Sequence, residues 1–349
     1  ALEDYWVSEK KIINIEKPSF INNKPIIYNV EIKNLTGDGY DISCNVEDDK
    51  QIDYVVFRTW TEYMGIDDEK WIVGTLDGNI ASSQVDMSTH NYEFGLYNTE
   101  IYVVDIDGNQ AVLKLPSINV KNTSLKNGWY YHRNKKYFFD QNGNQIGYGP
   151  AKKVIDVSLY NGIIDWDKVK EYGDVDGVIM RIVAHPKGSY IEDSQFANNL
   201  AACRRLNIPF GVYIYDYSNN SNDAFQEAKL VCSILKKYNI TPREMGFPVY
   251  LDLERNNIDI KTYEQIVSVF VDYMQQQGYV PRVYSYRNLL NANLNSPLIW
   301  KYVDWVAAYT KTLGFVNPYC AGSKGWQYTS SGYIPGITGN VDISCWYND

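Results

Sequence analysis

The stretch Pro248-Val249-Tyr250-Leu251-Asp252-Leu253-Glu254 decides how this chain is read. It is an apolar run of the length of one buried strand, and it ends on two acids. Residues two apart on a strand point to the same side, so Asp252 and Glu254 project together. An ionised carboxylate in a strand covered on both faces is costly unless it is paired or put to use. Two other acids hold comparable places, Asp156 in Lys153-Val154-Ile155-Asp156-Val157-Ser158 and Asp342 in Asn340-Val341-Asp342-Ile343-Ser344.

Working outward, apolar runs recur at Val154–Val157, Val178–Val183, Phe210–Tyr215, Phe247–Leu253, Val280–Tyr284, Trp305–Tyr309, Gly325–Tyr328 and Val341–Trp346. Helical patterns lie between several of them, at Asp193–Leu206, Asn222–Tyr238 and Thr262–Gln277. Continuous apolar strands alternating with amphipathic helices predict a parallel sheet covered on its outside. Eight such strands predict a closed (β/α) TIM-like barrel over residues 151–349, irregular at its last three strands, whose connections are too short for full helices. A doubly wound open sheet is the alternative, without a GxGxxG to give it a nucleotide site.

In a parallel barrel the strand C-termini face the site of chemistry, so four acids from strands one, four and eight would converge there. Cleavage of a glycosidic bond uses such a group: one protonated acid for the leaving oxygen and one negative charge for the oxocarbenium-like state. Crowding pushes one carboxyl pKa up and keeps that acid protonated near neutral pH. Two alternatives stand beside this: Asp252 or Glu254 pairing with Arg255, or the four acids holding a divalent cation.

The N-terminal half has another texture. Period-two segments such as Tyr28-Asn29-Val30-Glu31-Ile32, Tyr54–Trp60 and Glu100–Val104 are separated by turns such as Gly37-Asp38-Gly39 and Asp107-Gly108-Asn109. They predict an all-β immunoglobulin-like sandwich over residues 27–116, after an N-terminal extension at 1–26. Residues 117–150 form a linker with an aromatic β-hairpin pattern (Gly128-Trp129-Tyr130-Tyr131, then Tyr137-Phe138-Phe139), turning at Asn142-Gly143-Asn144. It is too small to hold a core and should pack on a neighbour or act as a sticky linker.

The composition narrows the function classes. Lys+Arg 33 against Asp+Glu 42 gives a net charge of −9, which argues against nucleic acid, whose phosphates need a basic footprint. The 31 Tyr and 9 Trp suit sugar rings and suit β-structure equally. Cys44, Cys203, Cys232, Cys320 and Cys345 form no CxxC, and His90, His132 and His185 lie far apart, so no metal site is expected. Buried thiols are favoured over the pairs Cys320–Cys345 and Cys203–Cys232. No apolar run is long enough to span a membrane, and a monomer without a cofactor is expected. The chain opens Ala1-Leu2-Glu3 without a methionine, compatible with a removed signal peptide.

Asp156-Val157-Ser158, Gly211-Val212-Tyr213, Asp252-Leu253-Glu254, Trp305-Val306-Ala307-Ala308-Tyr309, Trp326-Gln327-Tyr328 and Val341-Asp342-Ile343 occur in one order. Together they resemble glycoside hydrolase family 25, the Chalaropsis-type lysozymes, over residues 152–349. The resemblance implies an irregular β/α barrel that cuts the MurNAc–GlcNAc β-1,4 bond of peptidoglycan with retention. It implies Glu254 as general acid/base and Asp252 as the group that orients the substrate's own 2-acetamido nucleophile. Asp156 and Asp342 would position these groups. Tyr213, Tyr284, Tyr309 and Trp326, at strand ends, are candidates for sugar stacking, and Arg181 for a basic residue facing the groove. Gln327 points opposite to Trp326 and Tyr328 in a regular strand, so either the glutamine or the aromatic pair faces the groove.

Val56–Glu62, Asp67–Trp71, Tyr97–Val103 and Asp107-Gly108-Asn109 resemble the Bsp-like repeat of surface and wall-lytic proteins of Gram-positive bacteria. Residues 127–147 resemble a single choline-type wall-binding repeat. The resemblance implies glycan strands and the bacterial cell wall as partners. It also implies a protein that is secreted, wall-associated, or phage-encoded and released at lysis. A catalytically dead adhesin and a chitinase-like glucosaminidase are the alternatives.

Overall fold

The computed structural model describes residues 9–13, 15–18, 23–62, 65–91, 93, 95–120, 128–132, 135–185, 188–310, 312–320 and 322–348. Residues 1–8 of the expected extension and Asn127, Arg133 and Asn134 of the hairpin pattern lie outside them. The chain forms two compact units, Ala1–Pro150 and Ala151–Asp349.

In the first unit two antiparallel sheets share one core. One orders its strands Glu9–Ile13, Ile26–Thr36, Gly39–Glu47, Ile80–Asp86, Thr75–Asp77. The other orders Ile118–Val120, Gly95–Asp105, Ile52–Thr61, Lys70–Val73, with Gln110–Lys114 also on Gly95–Asp105. Alternation puts one side of each strand inward, so Ile32 and Ile42 from the first sheet meet Phe57 and Ile101 from the second. Gly39 is required where it stands: its φ is 138°, and a Cβ there would sit 1.9 Å from the Val85 carbonyl oxygen. The hairpin Gly128–His132 with Lys135–Phe139 inserts Tyr137 and Phe139 into this same core. It is therefore a buried part of the first unit.

The second unit is an eight-stranded barrel: β1 (Tyr148–Val157), β2 (Gly177–Ala184), β3 (Phe210–Tyr215), β4 (Val249–Leu253), β5 (Pro281–Tyr286), β6 (Val303–Ala307), β7 (Ser323–Gly332) and β8 (Val341–Asn348). They pair in the ring β1-β8-β7-β6-β5-β4-β3-β2, which closes through β1 and β2. Helices α1 (Trp166–Tyr172), α2 (Phe196–Leu206), α3 (Ser221–Lys237) and α4 (Ile260–Gln276) cover its first half. Asn220 caps α3 and Asp259 caps α4, each accepting from two backbone N–H groups. One expectation needs correction: β7 and β8 are antiparallel, so the sheet is not parallel throughout. The short link between them permits only a hairpin-like return.

Inward residues close the lower barrel with an aromatic plug. Phe247 lies edge-to-face on Trp346 at 5.2 Å, and Tyr250 on Trp305 at 5.0 Å. The plug needs room: a Cβ on Gly177 or Gly211 would come within 2.3 Å or 2.6 Å of Phe247, and one on Gly325 within 2.2 Å of the Trp346 ring. The β5–β6 register slips between Val283/Val303 and Tyr284/Trp305, leaving Asp304 as the extra residue of a bulge. Asp304 is buried, with Arg282 Nε at 3.3 Å, and burial pushes its carboxyl up to about 7. The five cysteines are buried, and Cys203, Cys232 and Cys345 are thiols.

Two outcomes follow from this architecture. Because the barrel holds its own core, residues 151–349 expressed alone should fold and melt in one cooperative transition, read by circular dichroism. Asp304 has a folded pKa above its unfolded value, so the stability it lends is complete below about pH 4 and is lost as pH rises through about 7. Melting temperature should therefore fall between about pH 4 and about pH 7, and Asp304→Asn should reduce that slope. An unchanged slope in the variant would show that Asp304 is ionised throughout.

Candidate active site

Each barrel strand alternates between an outer face under the helices and an inner face. Above the aromatic plug the inner face becomes polar. Asp156 follows Val154 on β1, Asp252 follows Tyr250 on β4, and Glu254 comes just after β4 ends. Asp342 begins β8. Because β8 runs opposite to its neighbour, its first residues stand at the mouth where the other strands finish. The reversal that breaks the parallel pattern is thus what places the fourth acid among the other three.

The four groups share one electrostatic environment. Burial raises the Asp156 carboxyl well above the usual range, and the charge of Asp342 adds to it. Burial raises Asp342 as well, partly offset by its interaction with Asp156. Burial is also the main cause for Asp252, followed by the charges of Glu254 and Asp156. Asp252 Oδ1 is buried without a hydrogen-bond partner among the described residues. Glu254 is raised by burial and by Asp342. Arg255 does not neutralise its neighbours: its guanidinium turns to Asp216 at 3.2 Å and to Asn219 Oδ1 at 3.2 Å.

Gln327 settles the choice that β7 left open. Its Nε2 donates to Asp156 Oδ2 at 2.8 Å, and its Oε1 accepts from Tyr284 and Tyr309 hydroxyls, each at 2.7 Å. The glutamine therefore faces inward, and the pair beside it does not. Trp326 is 2% exposed and gives its Nε1–H to the Ala308 carbonyl at 2.9 Å. Tyr328 packs against the layer between barrel and helices. The stacking expectation is corrected for Trp326, and of the two alternatives at β7 it is the glutamine that faces inward, which turns Trp326 and Tyr328 outward.

Tyr213, partly buried, and Tyr284, 5% exposed, face into the barrel beside the acids. Burial leaves Tyr284 little surface for stacking. Tyr309 is over half exposed and lines a cavity of about 440 Å³ with Glu254, Tyr284, Tyr286, Arg287 and Ala308. Arg181 sits at the mouth, locked by Asp193 Oδ2 at 2.7 Å. The same Asp193 oxygen accepts from Leu159 N at 3.1 Å, tying the loop after β1 to β2.

Sequence reasoning missed the aromatic rim on the other side. Tyr160 is 82% exposed and lies over the Arg181 guanidinium at 4.8 Å. Tyr217 stacks on His185 at 4.2 Å and on Tyr215 at 4.8 Å. The signal was present, since Tyr215-Asp216-Tyr217 stands at the end of β3 just as Asp252-Leu253-Glu254 stands at the end of β4. Beneath this rim Glu227 on α3 accepts from Tyr217 N at 3.0 Å and from the Tyr190 hydroxyl, and burial raises it to about 7.

The sequence matches Glycosyl hydrolases family 25 over residues 155–337, and the GBS Bsp-like repeat over residues 29–118. It is 27% identical over 192 residues to an autolytic lysozyme of Clostridium acetobutylicum, covering 55% of this chain and 54% of that one. The structure is similar to that of the modular autolysin LytC from Streptococcus pneumoniae in complex with a synthetic peptidoglycan ligand. That likeness has a TM-score of 0.58 and 40% identity, over 71% of this chain and 56% of the other. A second structure of the same autolysin gives a TM-score of 0.58 at 39% identity, over 78% of this chain and 61% of that one. The chain thus spans a little over half the length of these relatives. The family match extends over more than half of the residues and runs from the end of β1 to the turn before β8; the chain belongs to glycosyl hydrolases family 25.

Proposed function

We propose that this protein is a peptidoglycan hydrolase, an N-acetylmuramidase that cuts the β-1,4 bond between MurNAc and GlcNAc with retention. The observation that carries the reading is the mouth itself: Asp156, Asp252, Glu254 and Asp342 gathered at one end of a plugged barrel, each with a raised pKa. Glu254 is the general acid, since burial and the Asp342 charge favour its protonated form. It donates to the leaving oxygen and then, as carboxylate, takes a proton from the incoming water. Asp252, with one oxygen unpartnered, accepts from the N–H of the substrate's 2-acetamido group, whose carbonyl oxygen attacks the anomeric carbon. Asp156 and Asp342, both raised by burial, position these groups and keep the mouth's potential negative. Tyr309, Tyr160 and Tyr217 border the groove as stacking surfaces, and Arg181 as a cation for the substrate's polar groups.

The wider reading is of a monomer acting on glycan strands at the bacterial wall, outside the membrane. It joins a TIM-like barrel to a wall-targeting unit with an immunoglobulin-like sandwich. The relatives named above, an autolytic lysozyme and an autolysin with a peptidoglycan ligand, support it.

Glu254→Gln should reduce turnover on purified cell walls at least ~10²–10⁴-fold with an unchanged melting curve. Retention of more than about a tenth of the wild-type rate would assign the acid elsewhere. In the wild type the rate should fall on the alkaline side as Glu254 loses its proton, and mass spectrometry should find MurNAc at the new reducing ends.

Gln327 is a positioning residue: its amide favours the ionised form of Asp156 and its oxygen fixes two tyrosine hydroxyls. Gln327→Leu should lower kcat by about 10–100-fold with a much smaller change in KM. Loss of the donor raises the Asp156 pKa further, so the acidic limb of the pH–rate profile should move to higher pH. A fall in rate with an unmoved acidic limb would reduce Gln327 to a packing residue.

A further inference from the structure

The first unit carries aromatic rings that its own core does not use. Along Ile52–Thr61 the inward residues are Val55, Phe57 and Thr59, which leaves Tyr54, Arg58 and Trp60 on the outer face. Register puts Trp71 beside Arg58 on one side and Glu100 on the other, with Tyr102 beside Val56. Trp71 is 55% exposed and Tyr54 45%, so a broad apolar surface faces water.

These rings are held in place. The Arg58 guanidinium lies 4.8 Å from the Trp60 ring and 5.2 Å from the Trp71 ring, and Trp71 and Tyr102 are 5.0 Å apart. Arg58 is itself fixed by Glu69 and, at 2.8 Å, by Glu100, which also accepts from the Tyr102 hydroxyl at 2.9 Å. A surface ordered before it meets a ligand loses little entropy on binding. The network does nothing for the sandwich core, which lies on the other face of the same sheet.

Charge selects the occupant. Arg58 is matched by two carboxylates, Lys114 stands across the sheet from Glu100, and a chain of net charge −9 repels an anionic polymer. What the face does offer is flat rings for the C–H faces of pyranoses and carboxylate oxygens as acceptors for their hydroxyls. We propose that Trp60, Trp71 and Tyr102 form a binding platform for a β-1,4-linked N-acetylhexosamine chain. The choice of that glycan rests on the muramidase reading, whereas the platform rests on its own geometry.

The test uses the full chain and two insoluble probes: chitin, a neutral β-1,4-linked N-acetylglucosamine polymer, and cell walls with and without their teichoic acid. The wild type should bind chitin and stripped walls. Trp71→Ala and Trp60→Ala should each weaken that binding about tenfold, and Trp71→Phe less, with melting curves confirming intact folds. Equal binding by both alanine variants, or binding confined to walls that keep their teichoic acid, overturns the platform. Release of reducing ends is measured on the same preparations. Trp71-dependent binding by a chain that releases none would remove the muramidase reading and leave the platform standing. Release without Trp71-dependent binding would do the reverse.

Discussion

Four carboxyl groups in one water-poor mouth cannot all be ionised, and the rest of the barrel is arranged around that constraint. Two like charges about 4 Å apart repel by roughly 4 kcal/mol even at an effective dielectric constant of about 20. Burial raises both Asp156 and Asp342, which favours their protonated forms, and Gln327 orients the oxygen of Asp156 that lies on its own side. The aromatic plug of Phe247, Tyr250, Trp305 and Trp346 closes the barrel from below, so the acids are solvated only from the mouth. Arg255 would collapse the arrangement by pairing with Glu254, and the buried Asp216 removes it from reach.

The acids were legible in the sequence because their signal is local: a charge at the end of an apolar run has few cheap explanations. The same holds for the barrel, since runs such as Val178–Val183 and Phe210–Tyr215 are too apolar for a sheet with a wet face. The direction of β8 was not legible, because neighbouring strands of either sense have the same composition. The aromatic assignments failed for a related reason. A tyrosine near the end of a strand can face in or out within a residue or two, and Tyr213 and Tyr284 face in while Tyr217 and Tyr309 reach solvent. Gln327 shows what removes the ambiguity: three hydrogen bonds, each to a different strand or loop, that only the fold brings together.

The first unit divides in the same way. Its alternation is plain from residue to residue, so Val55, Phe57 and Thr59 separate cleanly from Tyr54, Arg58 and Trp60. The hairpin pattern of Gly128–Phe139 needs a neighbour, and the neighbour is the core between the two sheets, which receives Tyr137 and Phe139. Its sequence likeness to a wall-binding repeat is carried by rings such as these two, which the fold has buried.

The reversed final strand also settles the traffic of the chain. β1 rises from the plugged end toward the mouth, whereas β8 descends from the mouth, so the polypeptide both arrives at and leaves the barrel on the plugged side. An all-parallel ring would have discharged its last strand at the rim, and any following segment would have begun beside the groove. Here the barrel's first and last strands both meet the rest of the polypeptide at the end opposite the acids, and the mouth is built from strand ends and loops alone.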